Sequence, residues 1–221
     1  MSDRTAHVLL FRHGETDENA RGVLQGQSDT QLNAIGLQQA EALAARLRGF
    51  HPRIERLVSS DLTRAVQTAA PIERLLGVDA RRDPAWRERG FGAFEGRTVG
   101  EADVWRAATG AADLPGAEPM PVFEARVRKA LLGVAQAVAP GACVGVVTHG
   151  GAIRSVLRHL VAGTLCLAPG ASAPDLVAIA NCSIMHLHLR QPGATPQWRV
   201  ECANDVEHLG REGETTEVQG S

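Results

Sequence analysis

The chain has 221 residues, 44% hydrophobic and 22% charged, with a formal net charge of −2, which suits one α/β domain or two small ones built on an ordinary core. The near-neutral balance provides no global basic field, so neither nucleic acid nor a membrane surface is an expected partner. Among 23 basic residues only Lys129 is a lysine, so an arginine carries weight only where its position is special.

The polar start, Met1 to Thr5, runs straight into a predicted strand, His7 to Phe11. It has no secretory pattern, and no apolar run in the chain approaches a bilayer span, so the expected location is the cytoplasm. This first strand ends abruptly in Arg12-His13-Gly14-Glu15-Thr16, where Glu15 and Glu18 favour a helix start. Leu32, Ile35, Ala40, Leu43, Ala44 and Leu47 recur at helical spacing and predict a helix to Arg48 with Asn33 as its N-cap. Arg56 to Ser59 reads as a short strand. Asp61 is the predicted cap of the next helix, whose inner face is Leu62, Ala65, Val66, Ala69, Ile72 and Leu76.

Gly90 to Pro121 is rich in Gly, Ala, Pro and charge and reads as a loop or small cap. An amphipathic helix follows on Phe123, Val127, Ala130, Leu131, Val134 and Val138, stopped by Pro140-Gly141. Cys143 to Thr148 is the next strand, ending in His149-Gly150-Gly151, and Ile153, Val156, Leu157 and Leu160 mark the helix after it. Ser183 to Leu189 and Trp198 to Ala203 are the last predicted strands. The alternation predicts a three-layer α/β/α sandwich on a mostly parallel sheet, with residues 1–209 as one domain, 90–122 as its cap-like segment and 210–221 as a disordered tail.

Four cysteines, Cys143, Cys166, Cys182 and Cys202, lack CxxC spacing and read as reduced, partly buried thiols. His186 and His188 share a strand face, but two ligands make no metal site, so the expected reading is a packed or solvent-facing pair. Trp86, Trp105 and Trp198 read as core or cap residues.

Three predicted strands end in polar groups suited to one anion: Arg12-His13, Ser59-Ser60-Asp61-Leu62-Thr63-Arg64, and His149. On neighbouring parallel strands they would meet at the sheet's carboxyl edge, where open α/β sheets bind ligands. Arg12 and Arg64 would grip a phosphoryl group through forked, charge-assisted hydrogen bonds. Helices starting there would add N–H donors.

These motifs resemble the histidine phosphatase superfamily, which includes the cofactor-dependent phosphoglycerate mutases, over His7 to about Leu209. Arg12-His13-Gly14-Glu15-Thr16 is similar to the family signature, with Asn19, Gln25-Gly26 and Asp29 at family positions. Ser60 to Ala65 with Gln67-Thr68-Ala69 resembles its second arginine motif, Arg87 to Gly92 with Phe94-Glu95-Gly96 its acid-donor segment, Thr148 to Gly151 its second histidine motif, and Asn181-Cys182-Ser183 the start of a late strand. The resemblance implies a phosphohistidine mechanism: His13 attacks phosphorus, Arg12, Arg64 and His149 neutralise the oxygens, and Glu88, preferred to Glu95 and Glu118, protonates the leaving oxygen and then takes a proton from water. Asn19, Gln25, Gly26 and Gly150 would supply further phosphate or substrate contacts. No metal or other cofactor is implied; the partners are a small phosphorylated substrate and inorganic phosphate, and a homodimer stays open.

Within the family, mutases carry a tyrosine and a basic cluster that grips a phosphoglycerate carboxylate. This chain has no tyrosine, Phe91 stands at the matching place, and Gly96 to Phe123 offers Arg97 and Arg106 without a lysine. Hydrolysis of a small phosphomonoester is therefore the expected reaction. The alternatives are a phosphoglycerate mutase and, from another class, a non-catalytic phosphate-binding regulatory module.

Overall fold

The computed structural model describes residues 5–163, 165–167, 179–190 and 197–212. In chain order the elements are β1 (Thr5–Arg12), α1 (Asp17–Ala20), α2 (Ala34–Leu47), β2 (Ile54–Ser59), α3 (Thr63–Leu76), β3 (Ala80–Arg82), α4 (Val99–Thr109), α5 (Met120–Ala137), β4 (Cys143–Thr148), α6 (Gly150–Gly163), β5 (Leu165–Leu167), β6 (Ile184–Arg190) and β7 (Gln197–Asp205), with short 3₁₀ turns at Pro84–Trp86, Gly92–Phe94 and Glu207–Glu212.

The seven strands among the described residues form one sheet in the order β3-β2-β4-β1-β6-β7-β5. Neighbours are parallel except where β6 runs against β1 and β7. All six residues of β4 are buried, and β1 is buried from Val8 to Arg12, because strands covered on both faces lose the polar alternation of an exposed sheet. On one face Val8, Leu10, Val144 and Val146 pack with Phe123, Val127 and Leu131 of α5 and Ile153 and Leu157 of α6. On the other, Leu9, Phe11 and Leu57 pack with Leu43 and Leu47 of α2 and Ala69 and Ile72 of α3. The predicted three-layer α/β/α sandwich with a mostly parallel sheet is the architecture found.

Several predicted details shift. Ile35 is not on the inner face of α2; its side chain is exposed and Gly36 makes the contact instead. A Cβ on Gly36 would lie 2.1 Å from the carbonyl oxygen of Glu15, so only glycine lets α2 start this close to the loop after β1. Val66 of α3 is half-buried. Asp61 does not cap α3: the N-cap is Leu62, with no side-chain bond of its own. Asp29 reaches across from its loop to accept hydrogen bonds from Thr63 N at 2.7 Å and Thr63 Oγ1 at 2.9 Å, freeing Asp61 to accept two bonds from Arg87.

Gly90 to Pro121 is not plain loop. It holds α4, started by a Thr98/Glu101 capping box and stopped at Gly110 in the left-handed region. Phe94, Ala102 and Leu114 form its own small apolar cluster, with Leu24, Phe91, Trp105 and Ala117 packed around them. Gly210, with φ 67° and ψ −175°, kinks the short helical stretch Glu207–Glu212, and the rest of the predicted tail lies outside the described residues. Cys143 and Cys182 are buried, Cys202 is partly buried, and all three are free thiols; the Cys166 side chain lies outside the described residues.

Candidate active site

The carboxyl ends of β2, β4 and β1 lie side by side, and backbone pairing continues one step beyond the strands. Ser60 N donates to Val147 O at 2.9 Å, and His13 N donates to Thr148 O at 2.9 Å. These two bonds align the loops carrying Ser60, His13 and His149. The imidazoles of His13 and His149 sit with ring centroids 5.1 Å apart.

His13 is buried, and its Nδ1 lies 2.7 Å from the Gly14 carbonyl oxygen. A carbonyl only accepts, so Nδ1 carries the proton and Nε2 keeps its lone pair. Burial, then the Arg64 and Arg12 charges, holds the His13 pKa well below its ordinary value, so the ring is neutral at physiological pH. Asn181 Nδ2 donates to His13 O at 3.0 Å, fixing the backbone from the β6 side.

His149 is fully buried. Its Nε2 shares a 2.9 Å hydrogen bond with Ser60 Oγ, and its Nδ1 has no hydrogen-bond partner among the described residues. Burial lowers its pKa well below the ordinary value too, with Arg64, His13, Arg12 and Arg126 acting in the same direction. Arg12 donates from Nη1 to Ile179 O, and the Gly150 backbone packs beside its guanidinium: a Cβ there would be 3.5 Å from Arg12 Nε.

Arg64, in the first turn of α3, is almost fully buried. Its Nη1 donates to Ser28 O at 2.8 Å and Thr30 Oγ1 at 3.2 Å, and its Nη2 to Gly26 O at 2.7 Å. Burial pushes its pKa down to about 10, which leaves it cationic at neutral pH. Arg64 Nε–H has no acceptor among the described residues. A buried guanidinium donor without an acceptor costs free energy that an oxyanion would recover.

Glu88 sits on the turn after β3. Its Oε2 accepts from Gly151 N at 2.8 Å and its Oε1 from Arg89 N at 2.8 Å, so its carboxylate lies against the start of α6, two residues past His149. The neighbouring acids are committed elsewhere. Glu95 braces the 25–28 loop, accepting from Gln27 N at 2.9 Å and Ser28 Oγ at 2.9 Å. Glu118 is paired with Arg126, at 3.0 Å to Nε and 2.7 Å to Nη2.

The remaining expected contacts have structural partners. Asn19 completes the Thr16 capping box at the start of α1, and its Oδ1 also accepts from Asn181 Nδ2 at 3.2 Å. Gln25 Oε1 accepts from Thr30 Oγ1 at 2.6 Å, while Gly26 supplies the carbonyl that holds Arg64. The structure thus brings Arg12, His13, Arg64, Glu88, His149 and Gly150 into one cluster, with Asn19, Gln25 and Gly26 in the layer that holds it.

Three supporting residues escaped the sequence reading. Arg126 of α5 donates to Ala85 O and Arg87 O at 3.0 Å and Glu88 O at 3.3 Å, latching the turn that carries Glu88. Ser60 orients His149. Thr148 Oγ1 donates to Trp86 O at 2.8 Å, tying the end of β4 to that turn. Ser60 and Thr148 carried a signal only as parts of their motifs, and Arg126 carried none.

The profile of the histidine phosphatase superfamily (branch 1) matches residues 8–205. Sequences titled "Probable phosphoglycerate mutase GpmB" from Yersinia pestis (strain Pestoides F) and Enterobacter sp. (strain 638) are 34% and 35% identical over 211 residues, covering 91% of this chain and 94% of theirs. The solved structure of a mycobacterial glucosyl-3-phosphoglycerate phosphatase is 29% identical with a TM-score of 0.76, covering 92% of this chain and 100% of that one. A phosphoglycerate mutase structure from Bacillus anthracis, 21% identical with a TM-score of 0.78 over 94% of this chain and 96% of its own, shares the fold.

Proposed function

The chain belongs to the histidine phosphatase superfamily, whose members on this fold are phosphatases or mutases, and we propose that it is a phosphomonoesterase working through a phosphohistidine. One observation carries the reading. A neutral, oriented His13 shares a buried cluster with Arg64 Nε and His149 Nδ1, two polar atoms without partners among the described residues. A tetrahedral oxyanion is the ligand that such a set accepts.

In the forward half-reaction the Nε2 lone pair of His13 forms a bond to phosphorus as the ester P–O bond breaks. Glu88 passes a proton to the departing oxygen, Arg12 and Arg64 neutralise the equatorial oxygens, and the uncharged His149 binds one of them through a hydrogen bond. In the second half, water attacks phosphorus, Glu88 takes its proton, and the P–N bond breaks to release inorganic phosphate. The two arginines fill the electrostatic role a metal has in other phosphatases.

Hydrolysis is preferred to phosphoryl return for two reasons. Phe91 packs into the apolar cluster of the cap and offers no hydroxyl. Arg106 is paired with Asp103 at 2.8 Å, and Arg89 with Asp113 and Glu118 O, so these cap cations are already committed. The mutase reading keeps support from the GpmB relatives. Incubation with p-nitrophenyl phosphate and a chelator tests the proposal. Turnover that survives the chelator and vanishes in His13→Ala supports it; no turnover on a broad phosphomonoester panel favours a binding module. Interconversion of phosphoglycerates primed by 2,3-bisphosphoglycerate, outpacing hydrolysis, would make the protein a mutase.

A further inference from the structure

His7 lies on β1 and His186 and His188 on β6, antiparallel neighbours in which His7 is paired directly opposite His188 and Leu9 opposite His186. All three imidazoles therefore project from the same sheet face, and one nitrogen from each lies within 4.8 Å of the other two. His7 Nδ1 and His186 Nε2 are 2.9 Å apart. The sequence reading stopped at the His186/His188 pair because the third member is 179 residues away along the chain; strand register brings it home.

From this cluster we propose a divalent metal site, selective for zinc-class ions, formed by His7, His186 and His188 and separate from the phosphatase centre. His7 stands six residues upstream of His13, which follows the end of β1, so the two are about 20 Å apart at ~3.3 Å per residue. Three imidazoles form a borderline-soft ligand set that suits Zn²⁺, Cu²⁺ or Ni²⁺ rather than Mg²⁺ or Ca²⁺, and leave a coordination position for solvent or an anion. Tetrahedral zinc at ~2.0–2.1 Å from each nitrogen sets the nitrogens about 3.3 Å apart. The widest spacing must close from 4.8 Å or less, and all three rings are only partly buried, which gives them room to rotate.

The surroundings favour metal binding over mere stacking. His188 Nδ1 faces Glu201 Oε1 at 3.3 Å, leaving Nε2 for the ion and placing a carboxylate behind the ligand, as ligating histidines usually have. Glu201 is held in place by Arg199 Nε at 3.0 Å. The Phe50 ring packs edge-on against His186, with centroids 5.2 Å apart, and covers one side. An ion there would clip β1 to β6, one of the two antiparallel seams among the described strands.

The test uses the full chain, stripped of metal and titrated with zinc alone against a chromogenic competitor at pH 7.5. One equivalent should bind at micromolar affinity or tighter. A hundredfold excess over Kd should raise the unfolding midpoint by about 5–10 °C. His7→Gln, His186→Gln and His188→Gln should each lose that uptake and that midpoint gain while retaining phosphomonoesterase turnover, and His13→Ala should keep the zinc. Should the variants fold poorly, ¹⁵N-histidine spectra of the unmutated chain decide: zinc must move the ring nitrogens of these three residues. No stoichiometric uptake, or shifts at His13 and His149 instead, overturns the site.

Discussion

Glu88 Oε2 accepts a hydrogen bond from the backbone N–H of Gly151 at 2.8 Å, and this contact exists only because residue 151 has no side chain. A Cβ there would lie 2.2 Å from Glu88 Oε1 and 3.0 Å from Oε2. Since the obstructing atoms are the mobile end of a side chain, the fold could accommodate alanine by moving the carboxylate. Gly151→Ala should therefore leave the unfolding midpoint nearly unchanged, helped by alanine's helix propensity. It should lower kcat by about 10- to 100-fold, the cost of misplacing a proton donor by an ångström or so. Steady-state kinetics beside a thermal melt separate the two effects; a full-speed variant would mean that Glu88 is not the acid.

Arg126 offers a test from the opposite side of the same turn. It donates to three consecutive-turn carbonyls, Ala85 O, Arg87 O and Glu88 O, and it pairs with the half-buried Glu118. Arg126→Met keeps much of the apolar stem but leaves those carbonyls and a carboxylate short of a donor, costing about 1–3 kcal/mol of stability. Turnover should fall with little change in KM, because the residue positions Glu88 rather than the phosphate. Arg126→Lys should recover part of both. Denaturant melts and kcat measured on the same preparations check this, and a pure KM effect would count against it.

Five of the seven described strands and most of the helices were legible because β1 and β4 are buried on both faces and read as unbroken apolar runs, while α2, α3, α5 and α6 carry wide apolar stripes; β3 and β5, three residues each, are too short to show a pattern. α4 was not. It buries only Ala102, and Val104 on the same helix is exposed, so periodicity is absent where a helix rests on so small a cluster. The α3 cap was misread because the capping carboxylate, Asp29, arrives from another loop. Arg12, His13, Arg64 and His149 stood out as polar residues at the ends of apolar strands. Arg126 did not, and Gly151 appeared only as part of its motif, since each acts on a segment distant in sequence.

Acid should unfold this protein through its histidines. Unfolded imidazoles protonate near pH 6.5, whereas burial keeps His13 and His149 neutral well below that value. With folded values depressed, their contribution is complete above pH 6.5 and is lost progressively as pH falls below it, by up to about 1.4 kcal/mol per pH unit for each group. His186, held down to about 3, adds the same slope between pH 6.5 and 3. Stability from denaturant titrations at pH 7.5, 6.5, 5.5 and 5.0 should be level over the first interval and fall steeply over the others. In parallel, ¹⁵N-histidine spectra at pH 5.5 should show the His13 ring still neutral. A His13 titration midpoint near 6.5 would remove the basis for its role as a neutral nucleophile.

A Glu88 substitution separates the proposed proton donor from a residue that only positions its neighbours. Glu88→Gln keeps the size of the side chain but cannot donate a carboxylic proton, and its amide must face one of the two N–H groups now bound by the carboxylate, Gly151 N or Arg89 N. Any geometric disturbance from that mismatch acts on every substrate alike. Loss of the proton does not: an alkyl phosphate leaves as a strongly basic alkoxide and needs the acid, whereas p-nitrophenolate departs unaided. General acid catalysis contributes roughly 10²- to 10⁴-fold, so kcat/KM for alkyl phosphates should fall by about that factor and for p-nitrophenyl phosphate by about tenfold or less. The ratio between the two losses cancels the shared geometric component. An equal loss on both substrates would strip Glu88 of its acid role and hand the proton to water or to another group in the cluster.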